Sequence, residues 1–179
     1  CALYAPTGAI VCPYELCIAA MGNAMDNGAD LKLNFGVTDI QCEKGFYRIL
    51  SDNNEVSARF VINAAGIYSD AIAKMAGDNS FNVHPRRGEY ILLDRECGEL
   101  TGCTIFRTPT EKGKGILVSP TVDGNYLAGP TAVDIDDKEN KGTTDAGFER
   151  IKREAAENLK NIPFGKTITS FCGLRAVGN

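Results

Sequence analysis

A chain of 179 residues, 44% hydrophobic and 23% charged, has enough apolar side chains to fold around a core, which excludes a disordered protein. Its net charge of −4 and pI near 5.1 argue against nucleic-acid binding, because such proteins usually carry a basic surface. No apolar run approaches the roughly 20 residues that a membrane helix needs, so neither a transmembrane segment nor a signal peptide is predicted.

The seven cysteines include no CxxC pair, and His84 is the single histidine. A structural zinc site needs about four closely spaced Cys or His ligands, so no metal site is predicted. Unpaired cysteines are typical of a reduced intracellular protein, and we expect a cytoplasmic location. Cys12 and Cys17 are interpreted as small buried hydrophobic residues, with a redox pair as the alternative.

The first half of the chain alternates between helix and strand patterns. After Pro13, apolar residues recur at helical spacing, and Asn27-Gly28 ends this predicted helix. Ser69 is expected to cap a second, short helix that Gly77 ends. Between the helices, apolar alternation and turn residues predict strands over 31–35, 37–42, 46–51 and 55–62.

The second half begins with short strands and contains the longest predicted helix. Asp123-Gly124 has the composition of a hairpin turn. An apolar stripe from Phe148 to Ile162 predicts the helix, and Pro163 ends it. The strands predicted here are 90–93, 104–108, 115–119, 126–128 and 167–174. Helices mixed with antiparallel strands indicate an α+β, or mixed α/β, fold class.

The change of pattern divides the chain into domains. Residues 79–162 are interpreted as a module inserted between two parts of another domain, 1–78 and 163–179. The chain starts at Cys1 and stops after an apolar stretch, whereas natural termini are usually loose and polar. We therefore expect it to be a piece of a longer protein.

The stretch FVINAAGIYSD places Ala64, Ala65 and Gly66 where a predicted strand meets a helix. Such small residues let a ligand approach the backbone, or let the helix pack closely on the sheet, and the spacing leaves both interpretations open. The sequence contains neither GxGxxG nor GxxxxGK[ST], the usual phosphate loops. Gly113 and Gly115 are interpreted as part of a turn.

Arginines mark two further candidate sites. Arg86 and Arg87 open the stretch RRGEY and are interpreted either as a forked carboxylate ligand or as a solvated turn. Arg175 closes the last predicted strand, where it either holds a substrate carboxylate or lies in solvent at an edge. His84 is interpreted as a structural residue.

Taken in order, these motifs resemble one family over residues 7–179. The motifs are GAIVCPYELCIAAMGNAMDNGA, VTDI, FVINAAGIYSDAIAKMAG, PRRGEYILLD, GNYLAGPTAV and GLRA. Their order resembles the FAD-dependent oxidoreductases of the D-amino-acid oxidase and glycerol-3-phosphate dehydrogenase superfamily. Within it, RGEY and GPTAV are most similar to the L-2-hydroxyglutarate oxidases and dehydrogenases.

The resemblance implies a cofactor site and its domains. It implies that Ala64, Ala65 and Gly66 approach FAD, and that the backbone of Val37 meets the adenine. Residues 1–78 are then a partial FAD-binding domain without the N-terminal GxGxxG unit. The module over 79–162 is the antiparallel-sheet substrate domain, and 163–179 is a strand that returns to the FAD domain.

The resemblance also implies an activity. The parent protein would oxidise a small 2-hydroxy acid by hydride transfer to FAD, with Arg175 anchoring the substrate carboxylate and Arg87 or Tyr90 assisting. The alternatives are a glycerol-3-phosphate dehydrogenase-type flavoenzyme and a non-catalytic binding module. Without a pyrophosphate cradle, this chain alone is expected neither to hold FAD firmly nor to turn over substrate. Apolar surface exposed by the truncation favours self-association.

Overall fold

The computed structural model describes residues 2–109 and 115–178, and Gly113 lies outside them. Packing divides the chain into two compact units, each built from separate segments. The first unit comprises 1–29, 88–132 and 142–172, and the second comprises 30–87, 133–141 and 173–179. The predicted domain boundaries after residues 78 and 162 remain predictions, since a packing unit is not by itself a functional domain.

The described residues form three helices and eight strands. In chain order they are α1 (Pro13–Asp26), β1 (Asp39–Glu43), β2 (Phe46–Leu50), β3 (Glu55–Ala58), α2 (Ser69–Met75), β4 (Val83–Leu93), β5 (Leu117–Pro120), β6 (Tyr126–Gly129), β7 (Val133–Asp134), α3 (Asp145–Asn158) and β8 (Thr167–Gly178). A 3-10 turn, Gly66–Tyr68, leads into α2. This mixture of helices and antiparallel strands confirms the predicted fold class.

Several predicted elements differ from the structure in extent. Helix α3 ends at Asn158 instead of at Pro163, and β4 begins at Val83 instead of at Tyr90. No strand covers 31–35, because Asn34 has a φ of 55° and turns the chain there. The strand predicted over 55–62 ends at Ala58. The segment 104–108 contributes only one bridge, between Ile105 and Val118.

Two side-chain predictions are also wrong. Ser69 lies inside α2, where its hydroxyl donates to the Gly66 carbonyl at 2.8 Å instead of capping the helix. Cys12 is buried as expected, but Cys17 is exposed, because α1 buries none of its residues within the described chain. Neither thiol is in a disulfide.

The first unit contains the main hydrophobic core. Strand β6 pairs antiparallel with β5 and with the end of β4, so Ala128 lies between Ile91 and Val118. Helix α3 packs on β5 and β6 with an apolar face that includes Ile151 and Ala155. All five of these residues are at most 1% exposed, and burying each isoleucine or valine among them contributes about 1.5–3 kcal/mol to folding.

The second unit is built on an antiparallel meander. Strand β2 pairs with β1 and β3, and Gly45, with a φ of 90°, forms the first hairpin turn. Helix α2 packs against β1. Elsewhere in the unit, β7 pairs with the start of β4, joining Arg86 to Asp134 and Arg87 to Val133. Strand β8 pairs with β4 as well.

Within the described residues, no helix combines the length and apolar character that crossing a membrane requires. The same residues contain no group of three or more His, Cys, Asp or Glu side chains arranged to hold a metal ion.

Candidate functional site

The small-residue turn predicted to meet a cofactor has open surroundings. Ala64 is exposed and Ala65 is half-buried. Gly66 has a φ of 59°, a conformation that favours glycine. A Cβ added to Gly66 would meet nothing within 4 Å among the described residues. Close helix packing therefore does not explain this glycine within the described chain, and the open backbone supports approach by another molecule.

Hydrogen bonds inside the turn fix its shape. The Asn63 amide donates to the Ser69 carbonyl at 2.8 Å, and its oxygen accepts from the Ala65 N–H at 3.3 Å. Asn side chains often organise turns in this way. The sequence analysis missed Asn63 as a positioning residue, although an Asn at the end of a β-prone run was the available signal.

The residues before the turn expose an apolar surface. Phe60 and Ile62, which precede the turn, are 85% and 91% exposed, so an apolar strip leads into the open glycine backbone. Val37 is half-buried just before β1. An apolar surface beside accessible backbone suits a large planar cofactor. The phosphate loop of such a site is absent from the sequence.

Arg86 and Arg87 lie in strand β4, not in a turn, and they have different surroundings. Arg86 forms a forked ion pair with Asp134, with N–O distances of 2.6 and 3.0 Å, and this contact lowers the pKa of Asp134. Arg87 is half-buried, and its buried Nε has no hydrogen-bond partner among the residues described. A buried donor without a partner costs about 1–3 kcal/mol, which an anionic ligand would offset.

Tyr90 and Arg175 have surroundings that differ from those of Arg86 and Arg87. Strand alternation puts Tyr90 on the opposite face of β4 from Arg87. The Tyr90 ring stacks on Phe171, with centroids 5.1 Å apart. Arg175 is exposed in β8, and no ion pair of its guanidinium is found within 2–109 and 115–178. His84 is exposed in β4.

A buried carboxylate that the sequence analysis missed joins two of the quoted motifs. Glu89 of RGEY is 2% exposed and accepts from the Thr131 hydroxyl of GPTAV at 2.9 Å. It also accepts from the Thr144 N–H and hydroxyl at 2.6 and 2.8 Å, at the start of α3. The signal was present, since Glu89 shares its strand parity with the buried Ile91.

A second missed group lies directly after the small-residue turn. Asp70 is 7% exposed, and its carboxylate accepts from Lys138 Nζ at 2.6 Å and from the Val83 N–H at 3.2 Å. The hydrogen bond from Lys138 lowers the pKa of Asp70 from 3.8 to about 2. Tyr68 donates to Glu139, which raises the pKa of Tyr68. These contacts tie the segment 133–141 to the start of α2.

Comparison with known proteins gives a consistent result. The family model described as FAD dependent oxidoreductase (DAO) matches residues 1–179. A glycerol 3-phosphate dehydrogenase from Caloramator mitchellensis is 43% identical over 175 residues, which cover 98% of this chain and 36% of that protein. An L-2-hydroxyglutarate dehydrogenase from Bos taurus is 29% identical over 147 residues, covering 70% of this chain and 32% of that protein.

A solved structure of a related protein has a similar fold. The dithionite-reduced L-alpha-glycerophosphate oxidase of Mycoplasma pneumoniae, with FAD bound, superposes with a TM-score of 0.78 and 31% identity. The match covers 87% of this chain and 42% of that one. The chain thus spans roughly a third to two fifths of the length of these relatives. Higher identity and coverage favour the glycerol 3-phosphate alternative over the predicted 2-hydroxy acid.

Proposed function

The chain belongs to the FAD-dependent oxidoreductase family, and on that basis we propose that the protein containing it oxidises glycerol 3-phosphate. The observation that carries this proposal is the 43% identity to a glycerol 3-phosphate dehydrogenase across 98% of the chain. The 2-hydroxy acid oxidation expected from RGEY and GPTAV becomes the second candidate, supported by the 29% identity to an L-2-hydroxyglutarate dehydrogenase.

The second unit supplies the residues assigned to this function except Tyr90, which belongs to the first unit. Val37, Gly66, Arg87 and Arg175 all belong to the second unit. In the proposed site, Ala64, Ala65 and Gly66 line the cofactor, and the Val37 backbone meets its adenine. The open turn around Gly66 and the exposed apolar strip before it support this assignment.

The arginines are proposed to bind the substrate anion. A guanidinium presents a planar fork of donors that matches a phosphate as well as a carboxylate. Arg87 has a buried Nε that lacks a partner among the described residues, and Arg175 is exposed. Fixing the phosphate at one end of a small substrate holds its carbon atoms in one orientation. The assisting role predicted for Tyr90 is the weakest part of the proposal, because its ring stacks on Phe171 and lies on the opposite face of β4 from Arg87.

The chemistry is the oxidation of a secondary alcohol to a ketone. Bound FAD would supply the two-electron acceptor for the hydride removed from the substrate carbon. The hydroxyl proton passes to a general base that is not among the residues assigned here. The residues of this chain bind the phosphate, orient the alcohol carbon and shield one side of the cofactor.

The test uses the full-length protein that contains this chain, called the uninterrupted protein below. Its flavin absorbance is followed without oxygen during titration with glycerol 3-phosphate and, separately, with L-2-hydroxyglutarate. We expect glycerol 3-phosphate to bleach the flavin band and L-2-hydroxyglutarate to leave it unchanged. Bleaching by L-2-hydroxyglutarate alone establishes the second candidate instead. A protein that takes up no FAD refutes both.

The chain on its own is proposed to bind FAD weakly and to associate with itself. Its sequence lacks a phosphate loop, and Phe60 and Ile62 expose apolar surface. Sedimentation velocity of the 179-residue chain at several concentrations tests the association. A single monomeric species at all concentrations contradicts it.

A further inference from the structure

The segment 134–139, here called the strap, is fastened to the rest of the second unit at both ends. At its start, Asp134 pairs with Arg86, and the Ile135 N–H donates to the Pro85 carbonyl at 3.1 Å. At its end, Lys138 pairs with Asp70. The sequence predicted no such role, because a run of alternating charges is usually a solvated linker.

Asp70 is the centre of the strap's second attachment. Its side chain is 9% exposed and that of Lys138 is 24% exposed, so water screens their ion pair only in part. The same carboxylate accepts from the N–H of Val83, at the start of β4. One side chain therefore connects α2, β4 and the strap, and removing Lys138 would leave a buried charge without its counter-ion.

Tyr68 adds a second contact from the neighbouring strap residue. Its hydroxyl donates to the Glu139 carboxylate. The Lys138 ammonium lies 5.9 Å from the centre of the Tyr68 ring, within the range of a cation–π contact. Lys138 and Glu139, which are consecutive in the strap, thus contact Asp70 and Tyr68, which closely follow Gly66 in the chain. We call these four residues the clamp: Tyr68, Asp70, Lys138 and Glu139.

The clamp lies beside a turn whose conformation is not fixed by packing at Gly66. A Cβ at Gly66 would meet nothing within 4 Å apart from its chain neighbours, so packing does not restrict the turn at Gly66 itself. Short-range hydrogen bonds hold the turn from within, from the Asn63 amide, the Ser69 hydroxyl and the Tyr68 N–H. A turn that samples several backbone conformations binds a ligand that needs one of them more weakly, in proportion to the population of that conformation.

We propose that the clamp presets the Ala64–Gly66 turn for FAD, which makes its members positioning residues for cofactor binding. This inference rests on the proposed function, in which that turn lies against FAD. The turn then has its binding conformation before FAD arrives. The free-energy cost of ordering it is part of folding the second unit and does not weaken FAD binding.

The test compares FAD affinity with stability in the uninterrupted protein after removal of its flavin. The variants are Lys138→Met, which removes the charge, and Lys138→Arg, which keeps it. The control is Lys141→Met, at an exposed lysine just after the strap and outside the clamp. FAD dissociation constants come from quenching of flavin fluorescence. Melting temperatures and hydrogen exchange at residues 64–70 are measured on the flavin-free protein.

We expect Lys138→Met to weaken FAD binding about tenfold, a typical size for coupling between separate sites. Exchange at 64–70 should rise in the same variant. Lys138→Arg should restore most of the affinity, and Lys141→Met should match the wild type. A purely stabilising ion pair gives a different result: a lower melting temperature for Lys138→Met with unchanged FAD affinity, which overturns the proposal.

A further variant covers the case in which Lys138→Met does not fold. Tyr68→Phe removes only the hydroxyl that contacts Glu139 and is expected to weaken FAD binding about threefold, as the loss of one hydrogen bond does. Wild-type affinity in that variant overturns the proposal. If the wild type binds FAD but glycerol 3-phosphate does not bleach it, the substrate assignment fails and the clamp is still judged by affinity. A wild type without FAD affinity overturns both.

Discussion

The carboxylate of Glu89 fills the space into which a side chain at Gly147 would project. Gly147 lies in the first turn of α3, and Thr144, the N-cap, contributes its N–H and hydroxyl to the same carboxylate. The positive end of the helix dipole adds a favourable interaction with the negative charge. Helix α3 is therefore attached to strand β4 at one buried acidic group, and the absence of a side chain at 147 makes room for it.

Replacing Gly147 by alanine is expected to destabilise the protein. The new Cβ would overlap the Glu89 carboxylate, whose hydrogen bonds keep it from moving away. Overpacking of this kind costs about 1–3 kcal/mol in the free energy of unfolding. Urea denaturation measures it. The matched control is Gly22→Ala in α1, where nothing lies within 4 Å of the new atom and alanine should stabilise the helix by about 0.5–1 kcal/mol. Equal effects at the two glycines contradict this account.

Replacing Glu89 by glutamine tests the charge itself. The amide keeps the shape but removes the charge and turns one acceptor into a donor, so at least one hydrogen bond from Thr131 or Thr144 is lost or must reverse its direction. Hydrogen bonds to a charged group contribute about 1.5–3 kcal/mol, and we expect a loss of about this size in the free energy of unfolding. Glu149→Gln serves as the control, because the Glu149 side chain is 71% exposed. A surface ion pair of that kind contributes about 0–1 kcal/mol. Similar losses for Glu89→Gln and the control rule out the buried-charge explanation.

Asp70 gives a pH-dependent prediction. Its pKa is lowered from 3.8 to about 2, so its ion pair stabilises the folded state above pH 3.8, and this contribution disappears as the pH falls through about 2. The difference in unfolding free energy between wild type and Asp70→Asn should therefore be full at neutral pH and shrink in acid. Denaturation curves at a series of pH values measure it. In Lys138→Met the acid-sensitive part should shrink, because Lys138 is the main cause of the low pKa. A difference that stays constant down to pH 2 contradicts the assignment.

The two neighbouring arginines of β4 should differ in their effect on substrate binding. Arg87→Met removes a charge-assisted hydrogen bond worth about 1.5–3 kcal/mol, which corresponds to a rise of about 10-fold to 150-fold in KM for glycerol 3-phosphate. Steady-state kinetics of the uninterrupted enzyme measure it. Arg86→Met is the control, because Arg86 is already paired with Asp134, and its loss should lower stability while leaving KM near the wild-type value. The same KM for both variants removes Arg87 from the proposed site.

Local sequence signals predicted much of the secondary structure, because they depend on neighbouring residues. Pro13 and Asn27 bound α1, and the strand predicted over 46–51 was placed correctly within about a residue, the usual uncertainty of element ends. The strand predicted to reach residue 62 failed because strand formation needs a pairing partner. The described chain offers none beyond Ala58.

The contacts around the candidate site were harder to predict for a related reason. The partners of Glu89 lie 42 and 55 positions away, and Lys138 is 68 positions from Asp70. No local pattern encodes such distances. The sequence did single out Arg87 and the Ala64–Gly66 turn, because unusual residues at the ends of strands are visible without their partners. Their roles in binding remain predictions.

The interleaving of the two units restricts how this region can be exchanged between relatives. The chain passes from one unit to the other after residues 29, 87, 132, 141 and 172, so neither unit is one continuous stretch. A chimaera that replaces 88–172 as a block takes most of the first unit from the donor. It also takes Lys138 and Glu139, while Tyr68 and Asp70 stay with the recipient. Recombination between diverged parents would therefore separate residues that contact each other, unless 133–141 is inherited together with 66–70.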